Sequence, residues 1–157
     1  LSTIQVDFIQ PAQLGLKYIG EDGLEHTPVV LHRAVTGSTE RFMGVLIEHF
    51  AGAFPVWLAP VQAVLIPIAD RHIEYCQKLH GYLQDQGLRV EIDAASERMN
   101  AKIRKAQTQR IPYMLIAGDR EQNSDTISVR LRSGEELKSQ TPQHFLAITH
   151  DAVASGD

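Results

Sequence analysis

The sequence predicts an α/β fold in two domains, the second of which contains a mixed sheet. From residue 63 onward, apolar strands alternate with amphipathic helices in the order β-α-β-α-β-β-α. This order favours a sheet that starts parallel and has an antiparallel edge. Before residue 59 only two strands and one helix are predicted, and a segment below about 60 residues forms a marginal core by itself. We therefore predict domains at residues 1–58 and 59–157, the first being part of a larger sheet.

The first domain begins with a strand, because residues 3–8 alternate apolar and polar side chains. A Gly-Glu-Asp-Gly turn at residues 20–23 precedes a second strand over residues 27–34, whose Val-Val-Leu run indicates burial on both faces. Ser38 is the predicted N-cap of the following helix. This helix has the apolar stripe of an amphipathic helix, formed by Phe42, Val45, Leu46, Phe50 and Ala53.

The boundary between the domains contains Pro55 and Pro60, two prolines that end the helix and restart the chain. Apolar runs in this domain predict buried strands, and apolar residues at helical spacing predict helices packed on them. Gly87 ends the first of these helices. The predicted strands span residues 63–68, 88–92, 113–117 and 126–131, and the predicted helices span residues 72–86, 98–110 and 141–154.

The composition is that of a globular protein with no membrane-spanning segment. Hydrophobic residues make up 43% and charged residues 22% of the 157 positions, and no apolar run approaches the roughly 20 residues that span a bilayer. The single cysteine, Cys76, excludes an internal disulfide and fits a reducing environment, so we expect a cytoplasmic location. Because the chain starts at Leu1 in mid-strand, we expect it to be the C-terminal portion of a longer protein.

Basic residues are concentrated in one predicted helix. The formal net charge of −4 argues against a general polyanion-binding protein. Residues 98–110 nevertheless contain five basic residues and no acid, whereas the rest of the chain has 10 basic and 19 acidic residues. A solvated helix face and a local phosphate-binding face both remain open as interpretations. A nucleotide cofactor is not expected in this domain, because Pro-Ile-Ala-Asp rather than a glycine-rich loop follows its first strand.

The most informative segment spans residues 32–60, where an apolar strand leads into a Gly-Ser turn and a helix. Arg41 lies in the first turns of this helix, where the helix dipole favours an acid such as Glu40. A cation there fits a bound anion or an electron-rich ring, and a solvated surface arginine is the alternative. The string resembles motif 3 of the class II aminoacyl-tRNA synthetases. With His32 before it and Phe-Pro-x-Trp-Leu-Ala-Pro after it, the string is most similar to the threonyl enzymes.

The resemblance implies that the first domain is the end of a class II antiparallel catalytic sheet. The motif 3 arginine of this family packs over the adenine of ATP and helps to hold its phosphates, so Arg41 is the expected catalytic and ATP-binding residue. A planar guanidinium can make both contacts. Gly37 would allow the backbone to approach ATP closely, and Mg²⁺ is expected with ATP. Ser38 and Gln5, the latter in the string Thr-x-Gln-x-Asp-Phe, would face the substrate.

The resemblance also implies a zinc site that includes His32. Taken by itself, a lone histidine beside apolar strand residues is usually a structural or surface residue, and the other six histidines form no ligand pattern. In the threonyl enzymes the matching histidine is one of three zinc ligands, so a cysteine and a second histidine would lie upstream of Leu1. Three ligands leave an open coordination position. There zinc would take the amino and hydroxyl groups of threonine and reject valine.

The second domain resembles the anticodon-binding domain shared by the threonyl, prolyl, histidyl and glycyl enzymes. The resemblance is carried by Ile-Pro-Tyr-Met-Leu-Ile-Ala-Gly-Asp-Arg-Glu at residues 111–121 and Ile-Ser-Val-Arg at residues 127–130. It implies that the domain contacts the anticodon through five residues. Arg104 and Arg110 would contact the backbone or bases, Glu121 and Arg130 the base edges, and Ser96 stands where many bacterial relatives have asparagine.

The parent function implied by these resemblances is threonine–tRNA ligation. Such an enzyme activates threonine with ATP and transfers it to the terminal adenosine of tRNA(Thr), and it works as a homodimer. This chain alone should be inactive, since motif 2, two zinc ligands and most of the sheet are absent. A non-catalytic synthetase-like RNA-binding module is the alternative, but it would have no need of His32, Ser38 and Arg41. A prolyl enzyme is disfavoured by the His-Arg-Ala string at residues 32–34.

Overall fold

The structure is a computed structural model that describes residues 2–156. It divides into two compact units, residues 1–48 and residues 49–157. No helix within the described residues is long and apolar enough to cross a membrane. The domain boundary after residue 58 stays a prediction about the parent protein.

The first unit contains one antiparallel pair of strands and one separate hairpin. Its elements are β1 (Thr3–Asp7), α1 (Gln10–Gln13), β2 (Tyr18–Ile19), β3 (Glu25–His26), β4 (Val30–Ala34) and α2 (Thr39–Phe50), the last two residues of which fall in the second unit. β1 and β4 pair in a register that places Gln5 opposite His32, and β2 pairs with β3. Both strands and the helix expected from the sequence are therefore present.

This first unit has almost no core. Pro11 is the one buried residue among residues 2–48. Large apolar side chains are exposed on both strands and on the helix, among them Ile4 at 62%, Leu31 at 65% and Phe42 at 39%. Burial of apolar area is the main stabilising contribution to folding, and this unit gains little of it within the chain. The expected burial of the strand over residues 27–34 on both faces is therefore wrong for this chain, since β4 has no buried residue. Its exposure agrees with the expectation that the segment needs a larger sheet.

The second unit is built on one mixed sheet. Its elements are β5 (Ala63–Pro67), a 3₁₀ turn (Asp70–His72), α3 (Ile73–Asp85), β6 (Val90–Ile92), α4 (Met99–Thr108), β7 (Tyr113–Ala117), α5 (Asp119–Ser124), β8 (Ile127–Leu131), β9 (Glu136–Gln140) and α6 (Pro142–Ser155). The strand order is β6-β5-β7-β8-β9, with β6, β5 and β7 parallel and β8 and β9 antiparallel. This confirms the predicted mixed sheet. α5 and β9 were not predicted, because both are short and polar and lack an apolar period.

The sheet separates two cores, because successive strand residues point to opposite faces. The larger core lies on the first face, where Leu79 of α3 and Phe145 of α6 pack against strand residues such as Leu65 and Leu115. On the second face α4 packs against Ile66 and Met114. α5 contacts β7 and β8, so Ser128 and Arg130, the polar residues of β8 on this face, are half-buried.

The segment before β5, residues 54–62, is bound to the second unit through its backbone. Arg132 donates a hydrogen bond to one of its carbonyls at 2.8 Å, and Arg89 donates to two others at 2.8 and 3.0 Å. The buried amide of Gln62 donates to the carbonyl of Val56 and accepts the backbone N–H of Arg89, both at 2.9 Å. These bonds give backbone carbonyls of residues 54–62 hydrogen-bond partners in the second unit.

Candidate nucleic-acid interface

The five basic residues of the predicted phosphate-binding face have different surroundings. Arg98, Arg104 and Arg110 are exposed, and no ion pair holds their side chains within residues 2–156. Lys102 and Lys105 are instead bound to other parts of the second unit. The positive charge available to a ligand around α4 is therefore that of three guanidinium groups.

Lys102 and Lys105 hold the loop that follows β6. Lys102 is only 5% exposed, and its Nζ donates to the carbonyl of Asp93 at 3.0 Å and to a second carbonyl at 3.4 Å. Lys105 Nζ lies 3.1 Å from Oδ2 of Asp93, whose Oδ1 accepts the backbone N–H of Ala95 at 3.2 Å. Ser96, one of the expected anticodon contacts, is the next residue in this loop and is exposed.

Glu121 is held by hydrogen bonds to both of its carboxylate oxygens. Oε2 accepts the backbone N–H of Gly118 at 3.1 Å, which caps the start of α5. Oε1 accepts the hydroxyl of Ser128 at 2.9 Å. A Cβ on Gly118 would lie 2.7 Å from Ile68 Cδ1 and 3.2 Å from Glu121 Oε2, so a larger residue there would displace these two side chains. Each oxygen of Glu121 keeps a lone pair for a further donor.

Arg130 lies beside Ser128 on the second face of the sheet, because Ile127 and Val129 belong to the core on the first face. The residue opposite Arg130 on β9 is Glu136. Arg130 Nη1 donates to Glu136 Oε1 at 2.5 Å. Arg130 Nε is buried and has no hydrogen-bond partner within the described residues, so only part of the guanidinium is engaged.

Two hydrogen-bonded pairs, which we call the polar patch, lie at the β8–β9 end of the second face: Glu121 with Ser128, and Arg130 with Glu136. Two of these four side chains were predicted from the sequence. Ser128 and Glu136 were missed, although the alternation of β8 places Ser128 on the same face as Arg130. Ser96, Arg104 and Arg110 belong to α4 and its flanking loops, and no hydrogen bond or ion pair joins them to the polar patch among residues 2–156.

Asp119 attaches α5, which carries Glu121, to the turn after β5. Its carboxylate accepts hydrogen bonds from the guanidinium of Arg71 and from the ring of His72. His72 is buried, and its Nδ1 accepts the backbone N–H of Ala69 at 3.1 Å. The ring proton is therefore assigned to Nε2, which donates to Asp119 at 3.0 Å. The hydrogen bonds from Arg71 and then His72 hold the pKa of Asp119 well below its usual range.

In the first unit, Gln5, Asp7 and His32 line an open cavity of about 430 Å³. His32 Nε2 lies 3.2 Å from Asp7 Oδ2. Asp7 Oδ1 accepts the backbone N–H groups of Ile9 and Gln10, each at 2.9 Å. These backbone bonds, with a smaller contribution from His32, lower the pKa of Asp7. The ionised carboxylate is therefore fixed in a position facing the imidazole.

The expected ATP-binding residues are neighbours at the start of α2. Ser38 Oγ accepts the backbone N–H of Arg41 at 3.3 Å and its side-chain Nε also at 3.3 Å, which confirms Ser38 as the N-cap. Gly37 has φ +73°, a left-handed conformation that glycine adopts without strain. The side chain of Arg41 is exposed. The contacts of these residues with ATP and substrate stay predictions.

Comparison with known proteins identifies the second unit. Residues 62–148 match the family model of the anticodon binding domain. The chain belongs to the anticodon binding domain family. A threonine–tRNA ligase of Rubrobacter xylanophilus is 62% identical over 141 residues, covering 90% of this chain and 22% of that protein. A threonine–tRNA ligase of Thermotoga maritima is 49% identical over 154 residues, covering 98% of this chain and 24% of that protein.

A solved structure supports the same assignment. The RNA binding domain of threonyl-tRNA synthetase from Cryptosporidium parvum superimposes with a TM-score of 0.82 at 31% identity, covering 96% of this chain and 38% of that one. The predicted resemblance to the threonyl enzymes is thereby confirmed. The chain spans about a quarter of the length of the curated relatives it matches.

The residues matched to the anticodon binding domain include the polar patch, α4 and the loop that contains Ser96. The anticodon binding domain thus combines two kinds of surface. The exposed guanidinium groups of Arg104 and Arg110 suit phosphates, whereas the polar patch offers directional donors and acceptors. The strands and helix of the first unit lie outside the matched residues.

Proposed function

We propose that this chain is part of a threonine–tRNA ligase and that its anticodon binding domain binds the anticodon loop of tRNA(Thr). The observation that carries the proposal is the polar patch, where Glu121 of α5 and Arg130 of β8 are each held by a hydrogen bond to a neighbouring side chain. Unpaired RNA bases are recognised by hydrogen bonds to their edges. Glu121 offers acceptors and Arg130 offers donors, so the two side chains distinguish bases with opposite hydrogen-bonding patterns.

Arg104 and Arg110 would bind the phosphates of the anticodon loop. Both guanidinium groups are exposed and have no ion-pair partner in the described part of the chain. Phosphate contacts of this kind supply affinity that does not depend on base sequence and that weakens as salt rises. The hydroxyl of Ser96, which can donate and accept, would add a base or backbone contact from the loop before α4.

For the first unit we propose a part in threonine activation by the full-length protein. The threonine carboxylate attacks the α-phosphorus of ATP and releases pyrophosphate, and a ribose hydroxyl of the terminal adenosine then takes the threonyl group and releases AMP. Arg41 would stabilise the negative charge on the phosphates, with Mg²⁺ bound to ATP. Gly37 would allow close approach, and Gln5 and Ser38 would face the substrate. The homodimer expected of this family stays a prediction.

The residues present fit one ligand position of the proposed zinc site. A carboxylate bound to the second nitrogen of a metal-binding histidine fixes the ring and its tautomer, and Asp7 lies 3.2 Å from His32 Nε2 in this way. Within residues 2–156 no three His, Cys, Asp or Glu side chains could together hold a metal ion. His32 would therefore act with ligands from outside this chain. Bound zinc would hold the amino and hydroxyl groups of threonine.

The test is a binding titration of the 157-residue chain with RNA stem-loops at two salt concentrations. One stem-loop has a threonine anticodon, and the others differ from it by single anticodon bases. We expect salt-dependent binding with a preference for the threonine anticodon. Arg104→Ala should weaken binding to all stem-loops alike. It should also make the slope of log affinity against log salt concentration shallower by about one, the contribution of one phosphate contact. Arg33→Ala, which removes the same charge from the first unit, is the matched control.

Glu121→Gln and Arg130→Ala should instead erode the preference for the threonine anticodon. A good bidentate base contact is worth roughly 1–3 kcal/mol of discrimination, or about 5- to 150-fold in affinity ratio. A folded chain that binds every anticodon equally contradicts base recognition by this domain. Preference that survives both substitutions would place the recognition elsewhere in the domain.

A further inference from the structure

Each of the two side chains proposed to contact anticodon bases is held by a neighbour that was not among the expected anticodon contacts. Ser128 donates to Glu121 at 2.9 Å, and Glu136 accepts from Arg130 at 2.5 Å. We propose that Ser128 and Glu136 are positioning residues for anticodon recognition, which they support by orienting Glu121 and Arg130. This inference rests on the proposed function and deepens it.

Ser128 completes the fixation of the Glu121 carboxylate. Gly118 N–H holds Oε2 and the Ser128 hydroxyl holds Oε1, so the plane of the carboxylate is defined by two donors on different elements. The lone pairs that remain point away from these donors and are available to base N–H groups. A side chain ordered before binding loses less conformational entropy when RNA arrives. The hydroxyl of Ser128 therefore acts on recognition through Glu121.

Glu136 has the corresponding relationship to Arg130. The two residues are register partners on β8 and β9, so the backbone holds the acceptor opposite the guanidinium. A guanidinium has five N–H donors in one plane, and Glu136 engages Nη1 while Nε is buried. The other donors of Arg130 are left in a fixed orientation. An arginine without this partner would be free to pair with phosphates, which carry no base information.

Two matched pairs of variants separate positioning from a general effect on folding. Ser128→Thr and Ser128→Val introduce side chains of nearly equal size, both favourable in a strand, and only threonine keeps the hydroxyl. Glu136→Gln removes the charge that holds Arg130, and Glu135→Gln is its control, because Glu135 is the exposed neighbour and has no ion pair within residues 2–156. Circular dichroism and the unfolding midpoint verify that each variant is folded.

The measurement uses the whole 157-residue chain. It is the dissociation constant for a stem-loop with one changed anticodon base divided by that for the threonine stem-loop, so a lower ratio means weaker discrimination. We expect Ser128→Val and Glu136→Gln each to lower this ratio by about tenfold, the size of a lost hydrogen bond to a charged group. Ser128→Thr and Glu135→Gln should leave it near the value of the unaltered chain. In a Glu121→Gln background, Ser128→Val should cause little further loss, because residues that act through one another are not additive.

Three results overturn the inference and leave the proposed function intact. Equal ratios for the threonine and valine variants at position 128 would show that the hydroxyl is not used, even if the unaltered chain discriminates well. An undiminished effect of Ser128→Val in the Glu121→Gln background would show that Ser128 acts independently of Glu121. A folded Glu136→Gln variant with an unchanged ratio would remove Glu136 from the positioning role. If the unaltered chain shows no anticodon preference, the proposed function fails and this inference fails with it.

Discussion

Arg71 and Asp119 form a two-point ion pair between residues 48 positions apart in the chain. Arg71 Nε lies 2.8 Å from Asp119 Oδ1, and Nη2 lies 2.5 Å from Oδ2. The pair joins the turn after β5 to the first residue of α5, and the buried ring of His72 donates to the same carboxylate. α5 also contains Glu121, so this carboxylate contributes to the position of the polar patch.

Stability should therefore depend on Asp119 in a pH-dependent way. The pKa of Asp119 is lowered in the folded chain from an ordinary value of 3.8. A lowered folded-state pKa means that the stabilisation is present above about pH 4 and is lost as pH falls toward the folded-state pKa. We expect Asp119→Asn to lower the unfolding midpoint at pH 7 and to differ less from the unaltered chain below pH 3.8. Urea unfolding over a pH series measures this.

The matched control for this experiment is Asp85→Asn. Asp85 is exposed at the end of α3 and has no ion pair in the described part of the chain. Its substitution should leave the midpoint nearly unchanged at every pH. If the difference in unfolding midpoint between Asp119→Asn and the unaltered chain stays constant from pH 7 to pH 3, the pH dependence of stability does not come from this carboxylate.

Cys76 should be unreactive in the folded chain. The side chain is completely buried in the larger core, and burial raises the pKa of its thiol from 9.0 to about 11. Because the thiolate is the reactive form, a shift of two units lowers its population at pH 8 by about 100-fold. We expect a thiol-reactive disulfide to label the folded chain at least about 100-fold more slowly than the urea-unfolded chain. Rapid stoichiometric labelling without denaturant would show that the thiol is accessible.

The same shift has a consequence for stability at high pH. A raised folded-state pKa means that folding favours the neutral thiol, so the contribution is present below about pH 9 and is lost as pH rises toward 11. Cys76→Ala should therefore reduce the loss of stability over this range. Cys76→Ala also leaves a cavity that lowers the unfolding midpoint at every pH. The pH dependence of the midpoint, and not its absolute value, therefore tests the effect of the thiol.

Gln62→Ala should destabilise the second unit. Gln62 is 4% exposed and its amide satisfies the carbonyl of Val56 and the backbone N–H of Arg89. Removal of the amide leaves buried polar groups unpaired, at a cost of about 1–3 kcal/mol each. Denaturant unfolding should show a lower midpoint for Gln62→Ala, and Gln77→Ala, at an exposed position of α3, should show little change. Equal midpoints would mean that residues 54–62 are not needed for the stability of this unit.

His32→Ala should lower the zinc content of the full-length protein. His32 is the one residue of this chain expected to bind zinc, and three ligands hold such an ion with an open position. We expect less zinc per subunit by elemental analysis and a larger loss of affinity for threonine than for ATP. His26→Ala is the control, because His26 also pairs with an aspartate, Asp22, at 2.9 Å. Zinc that is undiminished by His32→Ala would remove His32 from the ligand set.

Most of the second unit follows from local patterns along the chain. The apolar runs of β5 and β7 and the apolar stripe of α3 identify these elements directly, since strand and helix periods depend on residues only two to four positions apart. The same reasoning failed for α5 and β9. Their sequences are polar, and the ends of α5 and the pairing of β9 depend on hydrogen bonds with β8 and the turn after β5 rather than on an apolar period.

The sequence by itself determined the α/β class, the motif strings and the identity of the basic helix, because each is defined by residues close together in the chain. Tertiary structure alone decided which charged groups remain available. Lys102 and Lys105 count as free charges in the sequence, but both are bound to Asp93. Glu121 has no partner that the sequence identifies, but in the fold it accepts a hydrogen bond from Ser128. A charged group is stabilised by whichever partner lies within hydrogen-bond distance, and the fold brings that partner from a different element.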